Sequence, residues 1–405
     1  MYSLFAKFIA KKYRPLVIAI AGTVGKTTTK RAIATVLSKV MTMRTSGLTG
    51  HDLFAARATI LDGGVFRALR LLMKRDTTYP KALLLEYRAT SERHMALCGG
   101  LVRPDIIVMT SLTPAHLDTL RSMEQLTRET VEFLACGRRD GWTVLAWDDA
   151  RVQSLKHRIK GRVITYGAGE GADVRAIEIV VQQEVRDGTI VVNGTSFKLA
   201  YKGSAVPVYL HGVLGGPHVL GALAAAAVGI LSDMNLVSIS EALSAYEPVP
   251  GRMRLIPGIK RTLLIDDTYT ASPASCSVGL QSLDALAIRP GGEKFAVLGD
   301  MVPLGDHTEQ GHHDVGEQAA AIGIDYLITV GKLSRDIGRA AREKGMPEER
   351  IYHFTTPEEA GRFIQNRLEE GDCVYISGNE LLRMEKIVKE IMAEPLKADG
   401  LLVRR

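Results

Sequence analysis

Residues 17–37 read VIAIAGTVGKTTTKRAIATVL, an apolar run of strand type, a glycine-rich turn, and a helical pattern that opens with lysine and threonines. No other stretch limits the fold as much. A strand that ends in glycines and turns into a helix aims backbone N–H groups and the positive helix end at one spot, which suits an anion. Gly22 and Gly25 permit the tight turn and close phosphate approach, and Lys26 adds a mobile charge. Thr27 offers a hydroxyl to a phosphate-bound magnesium ion. The common spacing G-x-x-x-x-G-K-[ST] would place a glycine at position 20, where the chain has Ile20, so the loop is a shortened form. A merely structural glycine turn would leave unexplained a lysine at the helix start, where the dipole disfavours a cation. A nucleotide is the expected ligand.

The surrounding pattern agrees with such a junction. From residue 16 to 135, LVIAIAG, KALLLEY, PDIIVMTSL and WTVLAWDD alternate with helical stretches, the first helix spanning 26–40, which predicts a mostly parallel sheet with helices on its faces. Between 161 and 214, RVITYG, AIEIVVQQEV, TIVVNGTSFKLAY and AVPVYLHG are joined by Gly, Asp and Asn turns and suit a small antiparallel sheet. Residues 217–246 read as two helices, the first rich in alanine, and EPVPGRM (247–253) as a linker. RTLLIDD, KFAVLGD, DYLITVG, IYHFT and CVYISG then form a second, Rossmann-like α/β unit. The expectation is an α/β protein with a nucleotide-binding domain over 1–247 and a C-terminal domain over 248–405; 405 residues exceed what one core supports.

Magnesium–phosphate chemistry needs carboxylates near the loop. Glu86 ends one strand and the pair Asp148–Asp149 another, and strand C-termini in such a sheet face one crevice, which favours Glu86 as a metal ligand. His116, after a further strand, could join it, although a surface carboxylate or a helix-capping histidine are the plain alternatives.

Composition narrows the partners. A net charge of +6, with no long basic run, gives nucleic acid little support. Cys98, Cys136, Cys276 and Cys373 are scattered without a C-x-x-C pair and read as free thiols in a reducing compartment. The start lacks a signal-peptide pattern, and no stretch reaches the ~18 apolar residues of a membrane span. Residues 2–12 read as a plain first helix, with a surface-binding amphipathic helix as the second reading. A cytoplasmic protein without stable membrane insertion is expected.

Together these pieces resemble the Mur ligase family, ATP-dependent enzymes that form amide bonds in peptidoglycan precursors. The shortened loop Gly22-Thr23-Val24-Gly25-Lys26-Thr27-Thr28 matches that family's G-T-x-G-K-T-[TS]. LIDDTYTASPAS (264–275) and VLGDMVPLGDHTEQGHHDVG (297–316) are similar to the branch that adds D-alanyl-D-alanine to a muramoyl-tripeptide, and AHL (115–117), GRM (251–253) and RMEKIV (383–388) fit in order. The resemblance implies that the loop and Lys26 bind ATP, with magnesium near Thr27, Glu86 and His116. A substrate carboxylate would attack the γ-phosphate to give an acyl phosphate, and an amine from an amino acid or dipeptide would displace phosphate. Arg252 and Asp267 would reach the nucleotide as the domains close, and His312 would line the site.

The likeness has gaps. The domain that holds the uridine-diphosphate end in the family is not matched, which raises a partner protein as its supplier. The family's carbamylated lysine corresponds to Thr130, with Arg128 two residues before it as a substitute cation toward substrate. The adenine-contacting H-N-x-x-N becomes Pro217, His218 and Gly221, and the K-G-S-R segment becomes SGNE (377–380). EYRATSERHM and SGLTGHDL likewise replace asparagine-bearing stretches. Lost buried partners typically cost ~1–3 kcal/mol each. Three readings stay open at this point: an amide ligase with an altered substrate, a nucleotide-binding but catalytically weak scaffold or regulator, and another P-loop ATPase or kinase.

Overall fold

In the computed structural model, which describes residues 2–47, 53–62, 64–114, 120, 122–186, 189–301 and 304–403, the run before the glycine turn becomes β1 (Leu16–Ala21). Val17 to Ala21 are all buried, as a continuous apolar run in the middle of a parallel sheet must be. Around it stand β2 (Met43–Thr45), β3 (Ala82–Glu86), β4 (Ile106–Met109), β5 (Trp142–Ala146) and β6 (Arg162–Gly167). β7 (Val174–Arg186), β8 (Thr189–Tyr201) and β9 (Ser204–His211) follow, giving the sheet order β2-β3-β1-β4-β5-β6-β7-β8-β9. β1 pairs parallel with both β3 and β4, in the registers Ile20↔Glu86 and Ile20↔Val108. The ends of these three strands therefore lie side by side, with the turn after β1 between Glu86 and the segment after β4.

Two expectations need correction. RVITYG is not part of an antiparallel sheet: β6 pairs parallel with β5 over Trp142↔Arg162 to Ala146↔Tyr166, and parallel with β7 at Tyr166↔Val174. The helical stretch Ala150–Arg158 between β5 and β6 supplies the crossover that parallel pairing needs. The antiparallel strands also form no separate sheet. β7, β8 and β9 extend the parallel one and are joined by two-residue connections, a length that allows only antiparallel neighbours. Lys202 and Gly203, at φ 47° and 80°, make the β8–β9 turn of the type that matches strand twist.

The helices of this region among the described residues include α1 (Tyr2–Tyr13), α2 (Lys26–Leu37), α3 (Leu53–Leu61), α4 (Val65–Met73), α5 (His94–Leu101), α6 (Met123–Leu134), α7 (Ala150–Ser154), α8 (Gly216–Leu231) and α9 (Leu236–Leu243). α2 stops at Leu37, short of position 40, because Ser38 and the residues after it close the last carbonyls. α8 buries almost its whole alanine run, so small side chains there allow close helix packing.

The second compact unit comprises Glu247–Arg405 together with Val180–Ser196 and Leu210–Gly216. Its sheet has the order β10-β11-β15-β12-β13-β14, from β10 (Arg254–Pro257), β11 (Leu263–Asp267), β12 (Lys294–Gly299), β13 (Tyr326–Val330), β14 (Ile351–Phe354) and β15 (Cys373–Ser377). All pairings are parallel except β10 with β11. α10 (Pro273–Asp284), α11 (Thr308–Ala321) and α12 (Arg335–Glu343) supply Leu280, Val315 and Ile337 to one core. α13 (Pro357–Arg367) and α14 (Glu385–Ile391) supply Ile364 and Ile387 to the other. Two cores on opposite faces of one parallel sheet make a doubly wound unit. α10 begins with Ser272 as its cap, Pro273 as its first residue, and Ser275 in its first turn returning the cap's hydrogen bond.

Candidate nucleotide site

The turn after β1 is held in place by the segment after β4. Gly22 lies at φ 131°, and a Cβ there would stand 2.2 Å from Thr110 Oγ1 and 2.8 Å from the Ser111 carbonyl, so only glycine fits. Thr23 N–H donates to Ser111 O (2.8 Å), Thr113 N–H donates to Thr23 Oγ1 (2.9 Å), and Val24 N–H donates to Ser111 Oγ (3.1 Å). Gly25 is the N-cap of α2 in left-handed geometry at φ 84°, with open space where a side chain would be. Ser111 and Thr113, which no motif singled out, thus set the loop's shape.

At the start of α2 five consecutive side chains, Lys26 to Lys30, are buried. Lys26 Nζ donates to Thr23 O at 2.9 Å, folding the ammonium back over the turn. Thr27 Oγ1 donates to Glu86 Oε1 at 3.0 Å, and Glu86 is 1 % exposed. The loop, Thr27 and Glu86, three expected site members, are therefore brought together.

Lys30 was not foreseen. Its Nζ lies 2.8 Å from Glu86 Oε2 and donates to the carbonyls of Ser46 and Gly47, each at 3.0 Å. Glu86 N–H in turn donates to Ser46 Oγ at 3.2 Å. A lysine one helical turn after Lys26 reads by itself as a surface residue; only the register that puts Glu86 beside Ile20 reveals its partner.

The other sequence candidates divide. Asp149 caps α7, accepting from Arg151 N–H and Val152 N–H, and also accepts from Leu112 N–H at 2.8 Å. Asp148 accepts from Ala168 N–H and Gly169 N–H at 2.7 and 2.8 Å. Both carboxylates tie strand ends together. His116 lies outside the described residues. Thr130, in the lysine's place, is buried and donates to Leu126 O at 2.8 Å within its own helix. Its neighbour Glu129 is also buried and accepts from the backbone of Arg93 and Met95, at the start of α5. Arg128 is exposed, roughly 200° around the helix from Thr130. Gly221 faces α2, where a Cβ would meet Thr28 Cγ2 at 3.3 Å and Thr29 N at 3.5 Å. His218 is buried and shares a 3.0 Å hydrogen bond with the Tyr246 hydroxyl.

In the second unit Asp267, at the end of β11, is buried and accepts from the Tyr375 hydroxyl at 3.2 Å. Burial pushes its carboxyl up to about 7 despite the nearby Arg252, with Asp266 adding repulsion. Asp266, pushed up by burial to about 6, accepts from Gly251 N–H and from the hydroxyl and N–H of Thr268. The Arg252 guanidinium lies 4.4 Å from the Tyr269 ring centroid.

His312, expected to line the site, is fully buried: Nε2 accepts from Met301 N–H (3.1 Å) and Nδ1–H donates to Thr308 O (2.7 Å), so both nitrogens are engaged by the backbone after β12. Asp300, from the same VLGDM motif, accepts from the N–H groups of Lys332, Leu333 and Ser334. Asn379 of SGNE donates to Asp300 O at 2.9 Å and accepts from Leu381 N–H and Leu382 N–H.

A parallel sheet with a glycine-shaped anion loop, a lysine and a threonine–glutamate pair at its mouth defines a nucleotide-binding α/β protein. The chain matches the Mur ligase middle domain over residues 20–229 and the Mur ligase, glutamate ligase domain over 251–380, and it belongs to the Mur ligase family. It is 26% identical over 391 residues to the UDP-N-acetylmuramoyl-tripeptide–D-alanyl-D-alanine ligase of Bacillus subtilis, covering 96% of this chain and 79% of that one. To the ligase of the same name from Escherichia coli it is 29% identical, covering 95% and 79%. Two crystal structures share the fold. MurF from Acinetobacter baumannii has a TM-score of 0.79 at 23% identity, over 95% of this chain and 78% of that one. MurF from Thermotoga maritima, solved with ADP, has 0.78 at 20% identity, over 98% and 84%.

Proposed function

We propose that this chain is an ATP-dependent amide-forming ligase of peptidoglycan precursor synthesis. It joins the carboxylate of a muramoyl-peptide precursor to the amine of a D-alanyl-D-alanine-type dipeptide. The observation that carries the reading is the glycine-shaped loop with Lys26 folded over it and Thr27 set against Glu86. This intact phosphate end favours an active ligase over a nucleotide-binding scaffold.

In this reading the amides at the start of α2, which lack partners within the helix by geometry, take the ATP phosphates, and Lys26 swings from the Thr23 carbonyl onto them. Thr27 and Glu86 present hard oxygen donors that fit a magnesium ion, with His116 proposed beside them on sequence grounds. Bound there, the ion would supply charge neutralisation at the phosphates. Lys30 holds Glu86 in place from its other side. Arg252 and Asp267 are proposed nucleotide contacts.

The substrate carboxylate attacks the γ-phosphorus as ADP leaves, and the amine then attacks the acyl carbon as phosphate leaves. One ATP, one acid and one amine thus give ADP, phosphate and an amide. Catalysis comes from positioning and charge. The test is phosphate release from ATP and magnesium with muramoyl-peptides and D-alanyl-D-alanine, read with the mass of the amide product. Release should require both acceptors; equal release without them would sink the reading.

A further inference from the structure

The chain's charge of +6 hides an asymmetry: residues 1–75 carry fourteen Lys and Arg against two Asp, so the other residues are net acidic. Much of this excess sits on three helices, α1, α3 and α4, where α1 packs against both others. None of the three contains an acidic residue. Asp62, between α3 and α4, is already paired with Arg44 at 3.0 Å and Arg67 at 2.9 Å.

The outer faces of these helices are apolar as well as basic. α4 turns Ala68 and Leu71 inward, yet Phe66 is 89% exposed and Met73 82%, with Leu69 and Arg70 also exposed between them. The spacing i, i+3, i+7 makes Phe66, Leu69 and Met73 one outward stripe. On α1 the exposed residues Leu4, Lys7, Phe8 and Lys11 alternate apolar and cationic at the same spacing, while Ala6, Ile9 and Ala10 are buried. Phe54 of α3 is exposed too. The helices are fastened together: Lys12 Nζ donates to Leu71 O and Leu72 O, each at 2.8 Å, and the Tyr13 hydroxyl donates to Leu71 O at 3.1 Å. Beside α1 opens a cavity of about 670 Å³ lined by Lys7, Lys11, Arg14, Arg103, Arg138 and Asp105 among others, with Asp105 ion-paired to Arg138 at 2.9 Å.

We infer that the outer face of α1, α3 and α4 docks the chain peripherally on an anionic bilayer. Exposed Phe, Leu and Met would enter the acyl boundary while Lys7, Lys11 and Arg70 meet lipid phosphates, the pattern of interfacial helices. Lysine is depleted in the cores of protein–protein interfaces, which argues against a protein occupant. Rows of outward apolar side chains are not what a free polyanion requires. No helix among the described residues is long and apolar enough to cross a membrane, so the docking is superficial.

The test is co-sedimentation of the full chain with vesicles of phosphatidylcholine alone and of phosphatidylcholine with phosphatidylglycerol. Binding is expected only to the anionic vesicles, and high salt should release it. The pair Lys7→Gln and Lys11→Gln should weaken it about thirtyfold, and Phe66→Ser with Met73→Ser about tenfold or more. Circular dichroism and ATP turnover should be unchanged in both. Failure to bind anionic vesicles at low salt would overturn the inference. So would binding that the Phe66/Met73 variant retains in full, or self-association that this variant abolishes while vesicles bind nothing.

Discussion

The ends of β1 and β12 use the same parts, a strand, a glycine and a polar residue before a helix, yet they differ in what faces outward. After β1, Gly25 borders open space, and Lys26 Nζ donates to the carbonyl of Thr23 in its own turn. After β12, Asp300 is engaged by three backbone amides, His312 by two backbone groups, and a Cβ on Gly331 would stand 2.4 Å from Asp300 Oδ1. The first end carries the proposed phosphate site; at the second, the carboxylate and the imidazole are engaged by the backbone. A motif that stands out in a sequence can therefore mark a brace as readily as a reaction centre, and only its partners tell which.

Substitutions at the two ends should separate these roles. The largest effect is expected for Lys26→Ala, with turnover falling about 10³-fold, since a charge aimed at developing phosphate charge is lost. Its unfolding midpoint should stay near that of the parent chain, and retained turnover would remove the loop from the mechanism. Glu86→Ala should lower both turnover and stability, the latter by about 3–5 kcal/mol in denaturant unfolding, because Lys30 is left buried without its carboxylate. Asp300→Ala should reverse the Lys26 pattern: stability drops by about 3 kcal/mol while turnover per folded molecule holds. A selective loss of turnover there would mean that the second end is a site after all.

The smallest effect concerns pH. Asp267 and Asp266 have carboxyls raised by burial to about 7 and about 6, so the folded state binds protons that the unfolded chain, at its ordinary aspartate value, has released. Their contribution is greatest at acid pH and is lost as pH rises from about 4 through about 7. Asp267→Asn should flatten that part of the stability profile by up to roughly one proton's worth of slope, read from urea midpoints across the range. Parallel profiles would mean that Asp267 ionises normally.

Much of the core was legible because parallel strands are buried on both faces and appear as unbroken apolar runs, as LVIAIA and CVYIS do. β10 was not foreseen: RLIP is short, half-buried and pairs antiparallel at the sheet edge. The direction of β6 was misread because its turn residues resemble those of the hairpins that follow, whereas the deciding helix precedes it. In the site, the loop, Thr27 and Glu86 could be named from local chemistry. Lys30, Ser111 and Thr113 could not, since Glu86, Val24 and Thr23, which they respectively meet, lie between 56 and 90 positions away.

The amino-acid order alone determined the strand–glycine–helix junction, the α/β class and the family, because these rest on periodicity and on short motifs whose geometry is local. Tertiary structure decided which motif residues meet beside the glycine turn and which are held by backbone groups elsewhere. Asp300, Asp149 and His312 are as polar as Glu86, but strand register and burial direct their lone pairs and protons to backbone groups. Buried polar atoms need partners, and which partner is within reach is a property of the folded chain.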